Sequence, residues 1–192
     1  MMKKIFRSIF FKGQSIRIWK YKILSSPQVK LLGKPTIKQP LLLVGCGTLK
    51  FLGNAKIGFY SSPYYFNGYA HFDFRRNNAE VIIGNDVWLN NSSVLIADNA
   101  CIKIGDKTIA GTNLSIYTSD FHHLDPAKRM ETGYPSDDVV IGSNVFIGSN
   151  VTILKGVTIG DNSVIANGSM VTKSIPSNAI AAGIPCKVIK SL

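Results

Sequence analysis

Acidic residues are missing from the first part of this chain: the first aspartate or glutamate is Asp73. That absence excludes a carboxylate-based catalytic or metal site from the stretch before it. Twelve lysines and arginines do fall there, so the net charge of +11 belongs to one end of the molecule. Residues 73–192 carry ten basic and eleven acidic side chains and are nearly neutral, which argues against a nucleic-acid surface. Cysteine is scarce: Cys46, Cys101 and Cys186 are widely spaced with no CxxC pair. This disfavours a zinc knuckle and suits a reduced, cytoplasmic chain. The histidines are only three, His71, His122 and His123. A metal-dependent hydratase would need three histidine ligands, and an adjacent pair rarely serves one metal, so no metal is expected. No apolar run approaches the ~18 residues of a transmembrane helix. Lys12 and Arg17 also interrupt the apolar residues that a signal peptide would keep together.

What is present is a repeat. From Ile141 the chain divides into sixes: IGSNVF, IGSNVT, ILKGVT, IGDNSV, IANGSM, VTKSIP. A period of six fits neither a 3.6-residue helical stripe nor a heptad. As a multiple of two, it places positions one and five of each block on the same face of an extended strand. Gly, Asn, Asp and Ser at positions two to four permit a bend. The economical arrangement is a prism of stacked coils, three flat faces to a coil, with the first-position aliphatics forming an internal column. The same signature starts at Ile83, Leu89, Ile104, Ala110 and Ile116, with a slip of three residues between Leu95 and Ile104. Upstream, LLLVGCGTLKFLGNAKIGF reads as degenerate coils.

Between Ile116 and Ile141 the spacing is 25 residues, not a multiple of six. This segment must leave the prism as a loop, near 118–138, and it holds His122 and His123. A solenoid of flat strands offers no deep cleft, so a projecting loop is where a site can be built. Imidazole is suited to removing a hydroxyl proton near neutral pH.

The stretch from SDDVVIGSNVFIGSNVTILKG to VTKSIPSNAIAAGIPCKVIK resembles the hexapeptide-repeat acyltransferases, looking most like galactoside and maltose acetyltransferases and bacterial polysaccharide O-acetyltransferases. The resemblance implies an all-β left-handed parallel β-helix over residues 31–192, a homotrimer, and acetyl-CoA as acetyl donor. It places the catalytic base at His122 in the Asp-x-His pattern, with Asp120 orienting the ring or meeting the acceptor and His123 beside it. It implies cofactor contacts from the Ser149 backbone N–H, which would face the thioester carbonyl, and from Thr172, Lys173 and Lys187. Phe146 stands where relatives often carry Trp, and Asn167 lies beside the pantetheine path. Asn91 corresponds to an acceptor-binding asparagine. The implied activity is O-acetylation of a sugar hydroxyl in a capsular polysaccharide, lipopolysaccharide or related surface glycan. N-acetylation of an amino sugar, antibiotic acetylation and a non-catalytic solenoid are the alternatives.

Residues 1–30 form a separate basic, amphipathic segment with helical spacing, divided at Gly13. Two roles suit it: a cap on the open end of the prism, or peripheral contact of residues 1–24 with anionic membrane, Trp19 and Tyr21 lying at headgroup level.

Overall fold

The repeats fold as the prism that their spacing demands. The computed structural model describes residues 2–192, with side chains from residue 8 onward; Lys3, Lys4, Ile5 and Arg7 therefore enter only as backbone. Six strands from Lys30–Leu32 to Thr158–Ile159 form one sheet, and six from Leu41–Gly45 to Met170–Val171 a second. The third sheet has eight strands, from Thr36–Ile37 to Lys187–Ser191. The chain visits the three sheets in turn, and stacked coils pair in parallel. First-position aliphatics fall into register as columns. Phe51, Ile83, Ile104, Ile141 and Ile159 make one, Phe72, Leu95, Ile116, Ile153 and Val171 another. All are buried. Burying each such side chain is worth about 1.5–3 kcal/mol, but only when the coils above and below are in place.

Corners are made by asparagine and glycine. Asn144, Asn150 and Asn162 occupy the fourth position with φ of 55–59°, a left-handed conformation that Asn adopts more readily than most residues. Their carboxamides stack: Asn144 donates to Asn162 at 2.9 Å, and Asn162 to Asn178 at 3.0 Å. The glycine at position two answers to crowding. A Cβ on Gly148 would sit 2.2 Å from Asn167 Oδ1 and 2.6 Å from its backbone nitrogen.

The upstream coils begin at Lys30–Leu32, with the LLLVG segment as the third face of the first coil, and the three-residue slip is a wider corner at 98–100. One feature lies outside the sequence-based expectation. Between the strands Ala55–Ile57 and Ala70–Phe74 a second loop, residues 58–69, interrupts the prism. Its rings pack on one another, Tyr60 with Tyr65 and Tyr65 with Phe66.

The N-terminal helix spans Met2–Leu24 without a break at Gly13. An internal glycine costs a helix about 1 kcal/mol; here tertiary contacts offset it. Gln14 is buried, its side-chain amide donating through Nε2 to the carbonyls of Tyr65 at 2.8 Å and Lys38 at 3.2 Å. Arg17 donates to Gln14 Oε1 at 2.7 Å and to the Gly68 carbonyl at 2.8 Å. The helix end then seals the first strand of its sheet. Ser26 N–H donates to the Leu43 carbonyl at 2.8 Å, and Leu43 N–H to Ser25 Oγ at 3.0 Å. At the other end, Lys187–Ser191 turns back antiparallel against Ala179–Ala182.

Candidate active site

The loop at 118–138 leaves and rejoins the prism through a narrow neck. Ser119 and Ser136 form an isolated antiparallel bridge, and Asp137 N–H donates to the Thr118 carbonyl at 2.8 Å. Tyr134 braces the base by donating its hydroxyl to the buried Asp98 carboxylate at 2.7 Å, where Arg76 also makes an ion pair at 3.4 Å. Above the neck the loop is open. It carries a single 3-10 turn, Pro126–Lys128, capped by Asp125 accepting from Ala127 N–H at 2.9 Å. At its tip Leu124 is 76% and Met130 90% exposed.

His122 stands exposed on this loop. Its Nδ1 lies 3.1 Å from the Arg129 carbonyl. A carbonyl can only accept, so this bond puts the proton on Nδ1 and leaves the Nε2 lone pair free. His123 takes the opposite arrangement, its Nε2 donating to the Thr132 carbonyl at 3.1 Å. Adjacent rings are thus held by different carbonyls and present different nitrogens. Asp120 is engaged away from the His122 ring. Its carboxylate pairs with Lys155 at 3.3 Å, across to a corner of the next coil. The missed residue is Lys155. It sits at the third position of ILKGVT, an outward position by the repeat, and only the fold brings it to the loop.

The remaining expected residues divide. Phe146 is exposed on the outer face of its sheet, in register with Ile109 and Val164. Thr172, Lys173 and Lys187 are exposed near the last coils, and neither lysine is in an ion pair among the described residues. Two point charges are therefore available to phosphate oxygens. The Ser149 N–H, expected to face a thioester carbonyl, donates instead to Asn167 Oδ1 at 2.8 Å. Asn167 holds the coil below through the rung that Ser149 Oγ repeats with Thr112 N–H at 3.2 Å.

Asn91 requires a correction. It is fully buried, and its carboxamide accepts from Phe59 N–H at 3.0 Å while donating to the carbonyls of Phe59 at 3.0 Å and Pro63 at 2.8 Å. Buried and bonded in this way, the side chain pins the loop at 58–69 and is not exposed to an acceptor. Cys101 offers no nucleophile either. Burial first, then the charges of Glu80 and Asp138, push its thiol up to about 11, where the reactive thiolate is rare at neutral pH. Among the described residues no group of three or more His, Cys, Asp or Glu could hold a metal ion.

A three-sided prism of stacked parallel coils built on a six-residue period defines a β-helix. Residues 138–173 match the family model described as bacterial transferase hexapeptide, six repeats, so the chain carries the repeat of the hexapeptide transferases. Galactoside O-acetyltransferase of Escherichia coli is 38% identical over 102 residues, 53% of this chain and 50% of that protein. The chain spans about half the length of the curated relatives it matches. Among solved structures, the polysialic acid O-acetyltransferase OatWY aligns with a TM-score of 0.56 at 21% identity, over 87% of this chain and 83% of that one. A hexapeptide-repeat acetyltransferase of Vibrio cholerae, complexed with acetyl coenzyme A, aligns at 0.51 and 22%, over 96% and 88%. The resemblance to the hexapeptide-repeat acyltransferases and the left-handed β-helix expected from it are borne out.

Proposed function

We propose that this chain is an acetyl-CoA-dependent O-acetyltransferase that modifies a sugar hydroxyl in the cytoplasm, its acceptor belonging to a bacterial capsular polysaccharide, lipopolysaccharide or related surface glycan. The observation that supports this most is the His122 Nδ1–carbonyl bond at 3.1 Å, which reserves Nε2 as a proton acceptor. The donor supplies an activated acyl thioester. His122 Nε2 takes the proton from the acceptor hydroxyl as that oxygen bonds to the acyl carbon. As the carbon–sulfur bond breaks, the imidazolium returns the proton to the departing thiolate, so the products are an acetyl ester and a free thiol. No covalent enzyme intermediate is involved, in keeping with the raised Cys101 thiol.

Lys173 and Lys187 serve the donor's phosphates and Phe146 its flank, with Thr172 beside them. Asp120, locked to Lys155, holds the base of the loop rather than the ring, and His123 lines the acceptor side. The single chain offers His122 only one wall. We infer a homotrimer in which the loop tip, with Leu124 and Met130 outermost, closes against the neighbouring prism. Asn167 must yield the Ser149 N–H before that group can serve the acyl oxygen.

The test is thiol release from acetyl-CoA with a panel of sugars, amino sugars and oligosaccharides. Hydroxyl acceptors should support turnover that His122→Ala abolishes. Full turnover by His122→Ala would refute the reading, and turnover confined to amino sugars would replace it with N-acetylation.

A further inference from the structure

The N-terminal helix has two unlike faces. Phe11, Gln14, Ile18 and Tyr21 recur at three- and four-residue steps and meet the prism and its aromatic loop. On the opposite side Ile9, Ile16 and Ile23 stand seven apart, with Trp19, Lys12 and Lys20 on the same face by helical spacing. The three isoleucines and Trp19 are 57–64% exposed. The helix cannot roll to hide them, because Gln14 and Arg17 fix it to the carbonyls of Lys38, Tyr65 and Gly68.

The apolar surface continues past the helix. A groove of about 710 Å³ runs between it and the first coil, lined by Ile18, Ile23, Leu31, Ile37 and Leu41, with Lys22 and Lys34 on its walls. The described part of the helix and the first coil, residues 8–45, hold seven basic side chains, from Lys12 to Lys38, and no acidic one. Charge decides among occupants. A second copy would set these seven cations against seven with no acid on either helix or first coil, and a nucleic acid would leave the isoleucine row without a partner. An anionic bilayer satisfies both features, since an interfacial helix buries its apolar row while lysines extend to the phosphates.

We propose that the first-coil end of the prism docks on the surface of an anionic lipid bilayer. Ile9, Ile16, Trp19 and Ile23 enter the boundary between headgroups and acyl chains, and Lys12 and Lys20 reach the phosphates. Docking does not depend on the catalytic reading, because vesicle binding requires no turnover.

The whole chain is sedimented with vesicles of phosphatidylcholine, alone or mixed with phosphatidylglycerol. Binding is expected with the mixed vesicles and should weaken as salt rises. Lys12→Ala and Lys20→Ala should each weaken it about fivefold, and the double change Ile16→Ser, Trp19→Ser by more than about tenfold. All four side chains are exposed, so an unchanged melting temperature confirms that these variants fold. In a Trp88→Phe background, which leaves Trp19 as the sole tryptophan, emission should shift to the blue on adding mixed vesicles. Equal binding to neutral vesicles, no binding at low salt, or binding unaffected by the double change would overturn the proposal. So would saturation of this face by an acidic protein in place of lipid.

Discussion

Two loops interrupt this prism, and they are built in opposite ways. The one at 58–69 is lashed down: Asn91 makes four hydrogen bonds to its backbone, Gln39 Nε2 donates to the Tyr64 carbonyl at 2.8 Å, and aromatic rings pack within it. The one at 118–138 is tied at its neck and open above it, with His122 and its apolar tip exposed and His123 half-buried. A loop stapled throughout can support other parts, and this one receives the helix through Tyr65 and Gly68. A loop tied only at the base keeps its surface available for another molecule. The first should fail by unfolding, the second by losing activity.

The largest effect expected is at the open loop. His122→Ala should lower turnover by about 10²–10⁴-fold while thermal unfolding stays where it is, because the ring makes one exposed bond. Comparing initial rates with calorimetry checks both halves. Asn91→Ala should behave the other way. It strands a backbone N–H and carbonyls under the aromatic loop, costing roughly 2–3 kcal/mol and lowering Tm by about 5–10 °C. If Asn91→Ala left Tm unchanged but raised KM for the acceptor, the contrast between the loops would be lost.

Smaller effects sharpen the picture. Lys155→Ala breaks a partly exposed pair with Asp120 and should cost less than about 1 kcal/mol. If the pair positions the loop, kcat falls while Tm holds, a split that a purely structural contact would not produce. The smallest effect concerns Cys101. Its folded-state thiol titrates at about 11, raised from 9.0 mainly by burial. The neutral thiol is therefore favoured in the fold, and its contribution is complete below pH 9.0 and lost as pH rises towards about 11. Cys101→Ser should flatten the alkaline end of a stability–pH profile, and alkylation of Cys101 should be slow at neutral pH.

The period of six made the prism legible because each first-position aliphatic must meet its equivalent one coil away. It also exposed the loop at 118–138, since 25 residues between Ile116 and Ile141 cannot be threaded as sixes. The loop at 58–69 stayed hidden because the coils around it are degenerate, with no strict spacing for it to violate. Asn91 misled for a related reason: a corner asparagine and an acceptor-binding one look alike until the residues it pins, thirty positions upstream, are brought beside it. Lys155 and Asn167 were visible as letters, but their partners arise only when coils stack. Periodicity reports what repeats, and these contacts do not.

The antiparallel strand Lys187–Ser191 has a consequence for the molecule's length. Parallel coils could in principle add to one another without limit, each offering a row of unpaired amides and carbonyls to the next. By doubling back on Ala179–Ala182 the chain fills one such row itself, while Ser25 and Ser26 occupy another at the opposite end. At those two places a further parallel coil finds no open backbone groups to pair with.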